Sequence, residues 1–325
     1  MMKNRVLLKD IAEKLNLTAN TVSRALHDKA DISEKTKENV RRVAEELGYI
    51  PDSVASSMRT ASTKTIAVLF DNLLNPYFMI MANQIQKHLM EIGYEMMIFT
   101  VTSTEAILPM DVLKKMISRR VDGVISFLRP SFEVAEYANK IHLPIFILGR
   151  EADDLNIDSI FTNDVQGGGL MGEYLYQKGY KHVGYLGGPK DILCNVKRAE
   201  GFQKYYDERG IEVRTTYSSW DEKSVYENLE SLVNQGVDAI FCFNDNIAYS
   251  AILYLKEHYP HHKPIEVTGY DNIAGSLQLP IPIATIGTNI EKMISICIEQ
   301  FMKRIDNFNL PLFVQSNETF LIIHE

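Results

Sequence analysis

From Ile66 onward, short runs that are apolar on both faces alternate with segments of helical periodicity. IAVLF, EMMIFT, VDGVISF and PIFIL form a first series; HVGYLGG, VDAIFCF and PIEVTGY form a second, which begins after Asp164. A strand with no polar face must be covered on both sides, as in parallel sheets flanked by helices. The segment after IAVLF predicts a helix with Phe78, Met81, Ala82, Ile85, Leu89 and Ile92 turned inward. Two such series make two lobes with a cleft between them. At 325 residues the chain also exceeds what one compact unit usually holds, leaving the N-terminal residues for a separate domain.

That N-terminal stretch reads as short helices. Leu8, Ile11, Ala12 and Leu15 recur at helical spacing; after the break at Asn16-Leu17, Thr18 serves as an N-cap, and Val22, Ala25 and Leu26 share the next apolar face. Ser33 caps a third helix with Val40, Val43, Ala44 and Leu47 inward, and Gly48 ends it. Two helices joined by a short turn and supported by a third make a helix-turn-helix. The following YIPDSVASSMRTASTKT holds one short stripe, Val54, Ala55 and Met58, and then a Ser/Thr-rich linker. A helix that short persists only when something packs on it.

The net charge of −8 argues against a nucleic-acid partner until it is divided along the chain. Residues 1–64 hold 12 Lys and Arg against 9 Asp and Glu, a net +3, which leaves 22 against 33, a net −11, for the remainder. A basic head on an acidic body is the expectation. In the stretch LTANTVSRAL the outward positions Ala19, Asn20, Ser23 and Arg24 are unlike those of an ordinary solvated helix. They suit a major groove: Ala19 admits close approach, Asn20 can bond adenine, and Arg24 can bond guanine or phosphate.

Here a resemblance becomes specific. LKDIAEKLNLTANTVSRALHDKADISEKTKENVRRVAEELGYIPDSVASSM resembles the DNA-binding head of the lactose/galactose-repressor (LacI/GalR) family of bacterial transcriptional regulators. The resemblance implies that Ala19, Asn20 and Arg24 read bases, and that Thr18, Thr21 and Ser23 bond phosphates. It places Tyr49, in the run Leu47 to Pro51, with the DNA-binding residues. It also implies a hinge helix over 53–59, in which Ala55 packs on its twin in a homodimer, Met58 wedges into the minor groove where the family usually has Leu, and Arg59 reaches backbone.

The body extends the resemblance: DNLLNPYF, FTNDVQGGGLMGEYLYQKGYKHVGYLGG, RAEGF, FCFNDNIAYSA, VTGYDN and PIPIATI are similar, in order, to the family's two-lobed, periplasmic-binding-protein-like (type I) effector domain. In open α/β sheets ligands bind beyond the carboxyl ends of the strands. Asp71, Asn75, Arg150, Asn244 and Asp271 stand at such ends, and Arg198 begins RAEGF. A neutral polyol needs fixed donors and acceptors with an aromatic face, here Phe78, Phe161 or Trp220. Matched to the family, Arg150, Arg198, Asn244 and Asp271 are the leading effector ligands, with Asp71, Asn75, Phe78 and Trp220 after them. Asp164 reads as a helix cap at the lobe crossover. Thr288 stands where many sugar binders of this fold have Gln, which leaves the sugar type open.

The expected organisation is a helix-turn-helix head over 1–50, a hinge helix and linker over 51–64, and a two-lobed effector-binding and dimerisation domain over 65–325. Its N-lobe takes about 65–161 and 289–325, and its C-lobe about 162–288. The expected function is a repressor that binds a pseudo-palindromic operator in double-stranded DNA as a homodimer, under allosteric control by a small effector. A sugar is the first expectation; a sugar phosphate, a purine or a phosphocarrier protein is the alternative. A carbohydrate-binding or carbohydrate-converting protein without a regulatory role is the rival from another class. GGG at 167–169 and GYLGG at 184–188 match neither GxGxxG after a strand nor a P-loop, so no cofactor and no enzymatic activity are expected. Cys194, Cys242 and Cys297 are widely spaced and odd in number, which suits a reducing cytoplasm, and no signal-peptide h-region or membrane span is seen.

Overall fold

The structure is a computed structural model that describes residues 6–50, 62–101, 107–219, 221–277 and 281–324. The chain divides into two compact units, Met1–Thr63 and Lys64–Glu325. Among the described residues no helix is long and apolar enough to cross a membrane.

In the first unit, α1 (Leu8–Leu15), α2 (Ala19–Leu26) and α3 (Glu34–Leu47) enclose a small core of Ile11, Ala12, Val22, Ala25, Val40, Val43 and Ala44. Local chemistry sets each boundary. Asn16 takes the left-handed conformation (φ 53°) that ends α1, and two residues later the Thr18 hydroxyl accepts the Thr21 N–H at 3.1 Å to begin α2. The Ser33 hydroxyl caps α3 in the same way, and Gly48 (φ 68°) closes it while the Tyr49 N–H returns to the Ala44 carbonyl at 2.8 Å.

The second unit holds two sheets. The first is wholly parallel, ordered β13 (Val314–Asn317), β7 (Asp158–Thr162), β6 (Ile145–Leu148), β4 (Gly123–Ser126), β1 (Thr65–Phe70), β2 (Glu95–Thr100). The second is ordered β14 (Phe320–Ile323), β12 (Ala284–Gly287), β11 (Glu266–Tyr270), β10 (Ala239–Cys242), β8 (Val183–Gly187), β9 (Arg214–Tyr217). A two-residue pairing of β3 (Ile107–Leu108) with β5 (Arg129–Pro130) lies beside the first. The doubly apolar strands have the predicted cause. Ile66, Val68 and Phe70 enter one apolar layer with α4 (Pro76–Glu91) and α12 (Ile290–Asp306). Ala67 and Leu69 enter the opposite layer, with α5 (Met110–Ser118) and α6 (Phe132–Lys140). The second sheet is covered by α7 (Asp164–Gln177) and α8 (Leu193–Asp207) on one face and by α9 (Glu222–Asn234) and α10 (Asp245–His258) on the other; the short α11 (Ala274–Leu277) follows β11.

Two details depart from the sequence reading. The last strand, β14, pairs antiparallel with β12 and so belongs to the second sheet, whereas residues 289–325 were expected wholly in the first lobe. The chain thus crosses between sheets three times, and the crossings are tied together. Asn163 N–H donates to the Asn317 carbonyl at 2.8 Å, Thr319 N–H to Gln166 Oε1 at 3.2 Å, and Thr288 Oγ1 to the Glu318 carbonyl at 3.0 Å. Ile92, expected inward, is the exposed C-cap of α4, because the turn at Gly93 already carries the chain toward β2.

Candidate functional site

The first unit presents one face of α2. Val22 and Ala25 are fully buried, while Thr18, Ala19, Asn20 and Arg24 are exposed and Thr21 is half-buried. The Thr18 and Thr21 hydroxyls bond each other at 2.8 Å. Ser23 corrects the sequence reading. It is buried, because on the helical wheel it adjoins Leu26 at the edge of the inward arc. Tyr49 packs against the small core. Ala55, Met58 and Arg59 lie outside the described residues. Within the 1–64 stretch expected to be basic, residues 6–50 hold eight Lys and Arg and eight Asp and Glu, so the net +3 comes from Lys3, Arg5, Arg59 and Lys64 against Asp52.

In the second unit a cavity of about 350 Å³ opens between the lobes. The first lobe contributes Ile107, Arg129, Pro130, Gly149, Arg150, Glu151, Phe161 and Thr162; the second contributes Asp164, Asp191, Ile192, Leu193, Cys194 and Lys197. Of the expected ligands, Arg150 and Phe161 line it. The Arg150 Nε–H donates to the Phe127 carbonyl at 2.8 Å, which aims the guanidinium from the turn at Gly149 (φ 85°), and Asp71 Oδ2 stands 3.9 Å from its Nη2. Burial raises the Asp71 carboxyl against the pull of Arg150, and its Oδ1 is buried with no hydrogen-bond partner among the described residues.

Arg198 is one bond behind the cavity wall. Its Nε–H donates to Asp164 Oδ1 at 2.9 Å, its Nη1 to the Phe243 carbonyl at 2.7 Å, and Asp271 Oδ1 lies 3.6 Å from Nη1. The Tyr270 ring covers the guanidinium at 3.5 Å. Asp164 was read as a cap, but Asn163 holds that role, accepting the Gln166 N–H at 3.1 Å, which frees Asp164 for the ion pair. Asp271 is held in a tight turn at φ 103°, with Asn272 following at φ 54°; such backbone costs on the order of 1–3 kcal/mol and persists only where neighbours over-determine it. Here the Asp271 N–H bonds the Ile286 carbonyl at 2.7 Å and His324 Nε2 meets Asn272 Oδ1 at 2.8 Å.

Four expected ligands are placed otherwise or fall outside. Asn75 and Asn244 spend their side-chain oxygens capping α4 and α10, accepting from Tyr77 N–H at 3.1 Å and Ile247 N–H at 2.9 Å. Phe78 packs edge-on against Phe127, with Phe70 behind, a cluster at the strand ends rather than a cavity wall. Trp220 is outside the described residues. Tyr77, which sequence reasoning passed over, faces the other lobe: burial, and then the Asp271 carboxylate, raise its phenol. Arg129, Glu151 and Lys197 were also missed. The first two directly follow strands or sit in one, so the strand-end rule that found Arg150 reaches them; Lys197 is found only by folding the helix.

The buried acids give a pH dependence with a definite sign. Burial raises Asp245 to about 7, against the bonds from Thr285 and Ile273, and raises Asp271 to about 8, against Arg198 and with help from Asp245. The folded chain therefore holds protons that the unfolded chain releases near pH 4, and stability falls as pH rises through that window up to about 8. The melting temperature should decline from pH 6 to pH 9, and Asp271→Asn should flatten the upper part. An Asp271→Asn protein with the wild-type decline would remove Asp271 as its source.

A family model described as bacterial regulatory proteins, lacI family, matches residues 7–52, and one for periplasmic binding proteins and the sugar binding domain of the LacI family matches residues 63–311. The chain belongs to the LacI family. An HTH-type transcriptional repressor PurR from Actinobacillus pleuropneumoniae serotype 5b (strain L20) is 28% identical over 291 residues, covering 86% of this LacI-family chain and 85% of its own. The ribose operon repressor of Haemophilus influenzae is 27% identical over 310 residues, covering 93% and 92%. Among solved structures, the Lac repressor dimer bound to operator and the anti-inducer ONPF aligns with TM-score 0.82 at 22% identity over 98% of each chain. A LacI-family regulator from Enterococcus faecium with bound ribose aligns with TM-score 0.70 at 21% identity over 79% of this chain and 96% of that one. These LacI-family neighbours share the fold that the sheet order describes.

Proposed function

We propose that this LacI-family chain is a transcriptional repressor that reads operator DNA with α2 and is controlled by a small polyhydroxylated effector in the interlobe cavity. The observation that carries the DNA half is the anchoring of α2: buried Val22 and Ala25 hold Ala19, Asn20 and Arg24 outward on a capped helix. Asn20 matches adenine and Arg24 guanine in the major groove. Two copies, with half-sites about 34–36 Å apart, would place their α2 helices one turn apart on one face of the duplex. Arg24→Ala should weaken binding to the protein's own promoter duplex by about 1–3 kcal/mol, read by fluorescence anisotropy. An unchanged affinity would remove α2 as the reading element.

The effector reading rests on the cavity's mixture of groups. Arg150, Asp164 and Lys197 offer donors and acceptors, and Phe161, Ile192 and Leu193 offer apolar surface. A sugar satisfies such a wall, and two similar proteins, the Haemophilus influenzae ribose operon repressor and the Enterococcus faecium regulator with bound ribose, carry that class in their names. Calorimetric titration with pentoses and hexoses tests it. At least one should bind, and Arg150→Ala should abolish its heat; undiminished affinity in that variant would exclude the cavity.

A further inference from the structure

Arg24, the outward guanidinium of α2, does not stand free: it forms an ion pair with Asp31, in the loop before α3. The hydrogen bond from Arg24 holds the Asp31 carboxyl below the usual carboxylate range. The loop that carries Asp31 is itself fixed at several points. The Lys29 N–H donates to the Arg24 carbonyl at 3.1 Å, and Asp28 Oδ1 accepts from Lys37 Nζ at 3.1 Å and Arg41 Nη2 at 2.9 Å. Beyond Asp31, Ile32 packs into the small core and Ser33 caps α3. Asp31 is therefore a carboxylate at a set position beside the longest side chain of the reading face.

A free arginine on a solvated face gives up rotamer freedom when it docks on a base edge. A carboxylate that already grips part of the guanidinium removes some of that loss beforehand, and leaves the remaining donors directed outward in their planar fork. We propose that Asp31 is a positioning residue for DNA recognition, orienting Arg24 so that it selects a guanine edge rather than the nearest phosphate. This rests on the reading of α2 as the recognition helix. The alternative role for the same carboxylate has the opposite sign. Residues 6–50 carry no net charge, so removing Asp31 makes the folded head more positive and, by electrostatics alone, should tighten binding to any duplex.

The test uses the full chain and selection from a random duplex library, followed by anisotropy on the selected duplex and on a scrambled one. Wild type should show a half-site with one guanine whose selection Arg24→Ala abolishes. Asp31→Ala should bind the scrambled duplex at least as tightly as wild type, yet lose about tenfold in discrimination at that guanine, part of what one bidentate contact supplies. Asp31→Asn, nearly isosteric, should fall between, which separates positioning from a failure to fold. Asp31→Ala and Asp31→Asn with the wild-type preference at that guanine would overturn the proposal. So would equal tightening on selected and scrambled duplexes, which marks Asp31 as a charge and nothing more. If Arg24→Ala changes no base preference, the recognition-helix reading fails first and Asp31 falls with it.

Discussion

Replacing Arg198 with leucine is expected to destabilise the unit Lys64–Glu325 by about 3–5 kcal/mol, the range seen when one partner of a buried ion pair is removed. Arg198 is buried, and so is Asp164, which accepts from its Nε–H at 2.9 Å. Leucine fills part of the volume but leaves the Asp164 carboxylate without its charge partner, the Phe243 carbonyl without its donor, and the Tyr270 ring without its cation. Without the counter-charge, Asp271 should hold its proton to still higher pH, because burial already outweighs Arg198 there. Arg198→Lys should recover only part of the loss, since a single ammonium has no planar fork with which to reach Asp164 and the Phe243 carbonyl together while lying flat on Tyr270. Urea unfolding of the full chain, followed by tyrosine fluorescence and circular dichroism, measures this. A loss under about 1 kcal/mol for Arg198→Leu would class the pair with exposed salt bridges and contradict the burial argument.

The second large effect concerns GGG at 167–169, which looks like a phosphate loop only if read as a string. The three glycines lie inside α7, and α7 packs backbone to backbone on α8. A Cβ at Gly168 would meet the Arg198 carbonyl oxygen at 2.1 Å, and one at Gly201, on α8, would meet the Val165 carbonyl oxygen at 2.0 Å. Neither neighbour is a side chain that can rotate away. Gly168→Ala and Gly201→Ala should therefore force the helices apart and cost at least the upper end of the about 1–3 kcal/mol typical of overpacking. The separation would also draw Arg198, on α8, away from Asp164, on α7. Gly169 supplies the control: its nearest neighbour would be 3.8 Å away, so Gly169→Ala should be neutral or stabilise by up to about 1 kcal/mol through helix propensity. Equal losses at Gly168 and Gly169 would refute close helix contact as the cause.

How far the sequence could be read depended on how local the determining physics was. The head's helices were legible because Thr18, Ser33 and Gly48 act within one turn of themselves. The parallel sheets were legible because Ala67 and Leu69 are as apolar as their neighbours on the other face. Ser23 was misread because an inward arc widens when a helix touches two others. Asn75 and Asn244 were misread because a strand-end asparagine that caps the next helix looks, in sequence, like one that faces a ligand. Asp164 and Asn163 exchanged roles through a one-residue difference in where α7 begins. The assignment of the last strand to the second sheet depends on the third crossing, a long-range pairing with no local signature.

The measurement that bears most directly on the proposed control of DNA binding is the operator affinity of the full chain with the cleft empty and with it occupied. The ligand to use is a sugar whose heat of binding Arg150→Ala abolishes, and the duplex is one labelled from the protein's own promoter. Saturating the cleft should change the dissociation constant by about 5- to 150-fold, the usual span of allosteric coupling. Arg150→Ala should bind the duplex as wild type does and show no change on adding the sugar. An unchanged operator affinity in wild type, with calorimetry showing the same sugar bound at the same concentration, would contradict control of α2 from the interlobe cavity.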